Sequence, residues 1–123
     1  MLFSFALLAL AAPDKACHLS AQWGDKLPKK GASAHEVRDQ GGSALWDFIR
    51  ADDTSLEDFA SGAGRDTPHR PIILYAAGTD CAVIERYAAI IEASANCAPD
   101  WCVVSYKPAP PLATPAPAAP GKR

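Results

Sequence analysis

The sequence lacks most of the features that announce a function. No apolar run reaches the roughly 20 residues that a membrane-spanning helix needs; the run from Met1 to Ala12 stops at Pro13-Asp14-Lys15. Basic residues are not in excess. Lys and Arg number 12 against 14 Asp and Glu, for a formal net charge of −2, so the Lys/Arg-rich face of a nucleic-acid binder is missing. No segment repeats with a period of about 20–50 residues, which argues against a solenoid. There is no Gly-x-Ser-x-Gly elbow, no Ser/His/Asp or Cys/His arrangement that can be placed, and no glycine-rich loop ending in Gly-Lys-Ser/Thr. A thioredoxin-type site has two residues between its cysteines; here the nearest pair, Cys97 and Cys102, has four. Zinc needs ligands paired at short spacing, whereas Cys17-His18 is adjacent and His35 and His69 stand alone. The expectation is a non-enzymatic chain with no catalytic residue, no cofactor and no metal site.

What is present is unevenly spread. The chain has 123 residues and is 49% hydrophobic, but 25 of those residues are alanine, so large apolar side chains are scarce. Met1 to Ala12 has the length of a signal-peptide apolar region, and Ala9-Leu10-Ala11 supplies a small-x-small cleavage pattern. Residues 1–11 are read as a leader directing export to the periplasm or beyond. Six of the 11 prolines follow Lys107. Each fixes φ and removes an N–H, so residues 108–123 are expected to be an extended Pro/Ala-rich tail, a spacer or a solvated end. That leaves residues 17–107 as one small domain, of a size at which exported chains often add disulfides.

The clearest stretch is Pro71 to Tyr106. Ile72-Ile73-Leu74-Tyr75-Ala76-Ala77 reads as a strand covered on both faces. Thr79-Asp80 precedes a helix in which Ile84, Tyr87, Ile91 and Ala95 form one apolar stripe, widened by Val83 and Ile90. Asn96 is a left-handed cap, Pro99 prevents continuation, and Trp101 to Tyr106 is a second strand. Strand, helix and strand with short links make a βαβ unit with a right-handed crossover. Upstream, Gly41-Gly42 breaks the chain and Ser43 caps a short helix over Ala44 to Arg50, with Leu45, Phe48 and Ile49 on one face. Leu56, Phe59 and Ala60 predict another helix, capped by Ser55 and ended by Gly62-Ala63-Gly64. Cys17 to Trp23 reads as an edge strand, and Pro28 to Ala34 as loop. The expected fold class is α/β, with α+β as the alternative: a small two-layer domain built on the βαβ unit and stapled by disulfides.

Four cysteines allow three pairings. Cys81 and Cys97 lie at opposite ends of one helix, about 24 Å apart at 1.5 Å per residue, beyond the reach of a disulfide. Cys97–Cys102 with Cys17–Cys81 is favoured, and Cys17–Cys97 with Cys81–Cys102 stays open. Thr79 and Asp80 are the candidate binding residues, because ligand sites of α/β folds form at the carboxyl ends of strands; the simpler role for Asp80 is a helix cap. Asp52-Asp53 and Glu57-Asp58 suit a helix N-terminus, and His69 is expected in an exposed loop.

From Ser55-Leu56-Glu57-Asp58-Phe59-Ala60, through Arg70-Pro71-Ile72-Ile73-Leu74 and the turn Gly78-Thr79-Asp80, to the helix over Glu85–Ala93 and the strand Val103-Val104-Ser105, the chain resembles the soluble periplasmic domain of the ExbD/TolR biopolymer-transport family. The resemblance covers about residues 54–106. It implies a small α/β domain, often dimeric, that works beside a proton-driven membrane motor and contacts a protein partner or another cell-envelope component. The family's membrane helix with its proton-handling Asp has no counterpart in residues 1–12, which contain no Asp, so motor activity is not implied. The alternative is a small exported thiol/redox protein or enzyme using the strand-helix junction at Asp80 and Cys81. Expression with the leader intact, followed by mass spectrometry of the product, is expected to show cleavage near Ala11.

Overall fold

His35 to Ala51 folds into three short strands because two two-residue turns reverse it. The structure is a computed structural model and describes residues 16–29 and 31–111; the expected leader over residues 1–11 and residues 112–123 of the expected tail lie outside the described residues. In chain order the elements are β1 (His35–Gln40), β2 (Ser43–Trp46), β3 (Ile49–Ala51), α1 (Asp53–Gly64), β4 (Ile72–Tyr75), α2 (Cys81–Ala95) and β5 (Cys102–Ser105). The first turn, Gly41-Gly42, has φ of 63° and 91° and is closed by the Gln40–Ser43 pair. The second, Asp47-Phe48, has φ of 50° and 71° and is closed by Trp46–Ile49. Positive φ at both central residues is what a tight hairpin demands, because that turn follows the right-handed twist of the strands.

The strands form one mixed sheet in the order β3-β2-β1-β4-β5. β1, β2 and β3 are antiparallel neighbours, while β4 runs parallel to both β1 and β5. The expected βαβ unit is β4-α2-β5, and the α+β character comes from the hairpins at the other edge. Side chains alternate across the sheet. Val37, Ala44, Trp46, Ile72, Leu74, Cys102 and Val104 join Leu56, Ala60, Ala63, Ile84, Tyr87 and Ile91 of the helices in one core. Leu45, Ile73, Tyr75 and Val103 are buried but belong to the opposite face.

The α2 stripe reads as expected: Ile84, Tyr87, Ile91 and Ala95 are buried, and Asn96 takes the left-handed cap at φ 55°. Residues Ala44 to Arg50 do not form the expected helix. Their helical spacing spans too few turns to hold on its own, and a Gly-Gly turn between two extended stretches is a hairpin signal. The α1 cap is Asp52 rather than Ser55: its carboxylate accepts the Ser55 N–H at 2.8 Å. Cys17 to Trp23 is not an edge strand either. Only Gly24 bridges to Val103, and the segment is held by side chains instead. The His18 N–H donates to Glu85, and the Ser20 hydroxyl and Trp23 indole N–H both donate to Glu92. A Cβ at Gly24 would collide with the Pro99 carbonyl.

Both favoured disulfides are formed. Cys17–Cys81 and Cys97–Cys102 have Cα separations of 5.2 and 5.3 Å and close 64 and 5 residues of sequence. Loop-closure entropy then ranks them: about 4 kcal/mol for the long loop and about 2 kcal/mol for the short one. Replacing Cys17 and Cys81 together by Ala should therefore lower the unfolding free energy in urea by more than replacing Cys97 and Cys102, by about 2 kcal/mol.

Candidate functional site

The β2–β3 turn is where the backbone is under most constraint. Asp tolerates the left-handed region because its short polar chain bonds locally; a bulky residue there costs about 1–2 kcal/mol. Asp47 makes such bonds. Its N–H donates to the Glu36 carbonyl at 2.8 Å, and its Oδ1 accepts the Glu36 N–H at 2.8 Å. Its Oδ2 lies 2.8 Å from His35 Nδ1. Phe48 has no such compensation. It stands at φ 71°, 52% exposed, beside Ile49 at 55%.

His35 connects this turn to the loop after α1. Its Nε2 faces Asp66 at 3.4 Å, and Asp66 also pairs with Arg70 at 3.7 Å. The ring lies against Trp46 at 4.9 Å between centroids, and Trp46 in turn stacks on Phe59. An imidazole between two carboxylates resembles the oriented base of a catalytic dyad. Here both nitrogens are occupied and the residue is 7% exposed, so no face of the ring is left to take a substrate proton. The two carboxylates also sit on different nitrogens, so the three cannot converge on one metal. His35 is an anchor for the hairpin tip.

The sheet face behind that tip carries Arg38. Its guanidinium lies 5.3 Å from the Phe48 ring centroid and 5.7 Å from that of Tyr75. Nη1 donates to the Pro110 carbonyl at 2.6 Å, and Nη2 is 3.7 Å from Glu36. On the core face the Tyr87 hydroxyl donates to Asp39 at 2.5 Å; burial, reinforced by that carboxylate, pushes the Tyr87 pKa far upward.

Thr79 and Asp80, the residues expected to bind a ligand, are not brought together with any of these groups. Asp80 is exposed and precedes α2 without a side-chain capping bond, while its carbonyl accepts the Val83 and Ile84 N–H groups. The cap role expected for its side chain is therefore not realised. His69 is half-buried, with its ring 4.1 Å from that of Trp101, rather than in an exposed loop. A cleft of about 400 Å³ opens between β2 and the start of α1. Its charges are already committed: Asp52 caps α1, and Asp53 pairs with Arg86 at 3.1 Å. Cys17, Cys81 and Glu85 converge within 4.8 Å, but a disulfide sulfur is no thiolate and holds no metal.

The signals for the tip were readable only in part. Arg38, Asp47 and Phe48 carry no motif, and their juxtaposition depends on the register between β1 and its neighbours. No family model matches this chain, and neither does any curated protein or solved structure.

One titration follows from the turn. Burial raises the Asp47 pKa, but the His35 ring, the Glu36 N–H and the Arg70 charge outweigh it and hold the carboxyl below its ordinary 3.8. A group whose folded pKa is depressed contributes stability that is present above the unfolded value and is lost as pH falls through the folded one. Urea midpoints measured from pH 5 downward should fall below about pH 3.8, and Asp47→Asn should flatten part of that fall while lowering stability at neutral pH.

Proposed function

We propose that this chain is an exported, cystine-stapled interaction domain that binds a protein or another component of the cell envelope without catalysis. The observation that carries the reading is Phe48. A type I′ hairpin prefers Asp-Gly; this one is Asp-Phe, and about half of the Phe48 surface stays exposed beside Ile49 although its ring meets Arg38. Strained backbone positions cluster at ligand clamps and switch regions, and one that displays an apolar side chain supports a recognition role. The two cystines support an oxidising compartment, the periplasm in this reading. Among the described residues no helix is long and apolar enough to cross a membrane.

The order α1-β4-α2-β5 over Asp53–Ser105 is the order on which the likeness to the ExbD/TolR periplasmic domain rests. It supports an accessory role of that kind in envelope transport, with self-association into a dimer as one form. The thiol or redox alternative turns on Cys81, the first residue of α2, which is half-buried and bonded to Cys17.

The test replaces Phe48 and follows two readouts. Phe48→Gly should stabilise the domain by up to about 1 kcal/mol in urea, because glycine relieves the left-handed turn and only a weak Arg38 contact is lost. In cells that export the protein, photo-crosslinks placed at Ile49 should join it to envelope proteins, and Phe48→Gly should reduce them severalfold. Unchanged crosslinks would remove Phe48 from the binding surface. Thiol titration of the exported protein should find no free cysteine before reduction and four after; a free, low-pKa Cys81 would favour the redox reading instead.

A further inference from the structure

We propose that the sheet face opposite the helices is a docking surface whose built-in ligand is the chain's own segment from Pro108 to Pro111, anchored by Arg38. This goes beyond the interaction reading above and stands without it.

The face is covered without help from the helix layer. Leu45, Ile73 and Tyr75 are each less than a tenth exposed, yet none belongs to the core that the helices share with the sheet. Arg38 lies in the middle of this face, paired with Leu45 in register and neighbouring Tyr75 as the β1–β4 register continues. Only 14% of its side chain is exposed. The stem therefore lies along apolar surface, and the guanidinium has the Phe48 and Tyr75 rings as neighbours, at 5.3 and 5.7 Å.

The chemistry of the two partners is complementary. Proline has no N–H, so a proline-rich chain presents carbonyl acceptors and ring surfaces and few donors. A guanidinium offers donors only, and aromatic side chains offer flat apolar faces, the combination that proline-rich segments use elsewhere. One such bond is formed, from Arg38 Nη1 to the Pro110 carbonyl at 2.6 Å. Arg38 Nη2 is buried without a hydrogen bond and has only the Glu36 carboxylate, 3.7 Å away, to offset its charge. Pro108, Pro110 and Pro111 restrict three φ angles of the segment beforehand, which lowers the entropy lost on docking. Only four residues separate Ser105 at the end of β5 from Pro110. A tether this short raises the local concentration of the segment to about the millimolar range, so the contact forms within one chain.

The test uses the full-length protein and amide relaxation at Ala109, the non-proline residue inside the segment. In the wild type the Ala109 order parameter should lie near the rigid value of about 0.85, independent of protein concentration. Arg38→Ala should drop it below about 0.6 while the β4 and β5 amide shifts stay in place. The triple change Pro108→Gly, Pro110→Gly and Pro111→Gly, which leaves the sheet untouched, should do the same, and Arg38→Lys should fall between. A mobile Ala109 in the wild type, or an Ala109 unmoved by the triple change, overturns the proposal. Ordering that fades on dilution assigns the contact to a second copy's tail and also overturns it as a built-in ligand.

Discussion

The close approach of α1 and α2 sets the geometry on which the rest depends. Leu56, Ala60 and Ala63 of α1 and Ala88 and Ala95 of α2 are buried in the same core. At the end of α1, a Cβ on Gly64 would lie 2.9 Å from the Ala95 carbonyl oxygen. Small residues let the two backbones come together over a sheet of short strands. The cost is that each methyl buried contributes little; about 25 cal/mol per Å² of apolar surface does not accumulate quickly from alanine. A core of this kind gains from covalent ties, and the two cystines tie the outer elements to it. One holds the N-terminal segment to the start of α2, and the other closes the link between α2 and β5.

The same helix holds the N-terminal segment by charge as well. Glu85 and Glu92 point out of α2 toward residues 18–23 and accept one amide, one hydroxyl and one indole N–H. These bonds take the place of a strand ladder that the segment does not make beyond Gly24. At the other edge, the β2–β3 turn is held by Asp47, whose backbone and side chain both bond to Glu36 while its second oxygen meets His35. Rigid support of that turn keeps Phe48 fixed over Arg38. The displayed apolar tip and the covered sheet face are thus two consequences of one hairpin.

Much of the second half was legible beforehand. Ile72 to Tyr75, the Ile84/Tyr87/Ile91 stripe, the Asn96 cap and the cystine pairing follow from local periodicity and reach, and nothing distant competes with them. The first half was harder. Ala44 to Arg50 has helical spacing over too short a length, and β2 is buried on both faces, so no alternation marks it as a strand. The Cys17 to Trp23 segment alternates, but pairing is decided by what lies beside it, and Pro99 admits only Gly24 close to β5.

For the site, the sequence by itself determined composition and cysteine pairing: a near-neutral, cystine-stapled chain with a proline-rich end, for which a binding role was the expectation. It pointed to Thr79 and Asp80, because strand ends are where such sites form in many α/β folds. Tertiary structure alone decided that Arg38, Phe48, Tyr75 and Pro110 meet. These residues are scattered over more than 70 positions of chain, none is part of a motif, and strand register is a property of the whole sheet. A shift by one residue would turn Arg38 into the core and send Val37 outward. The long-range packing that forbids that shift is also what creates the surface.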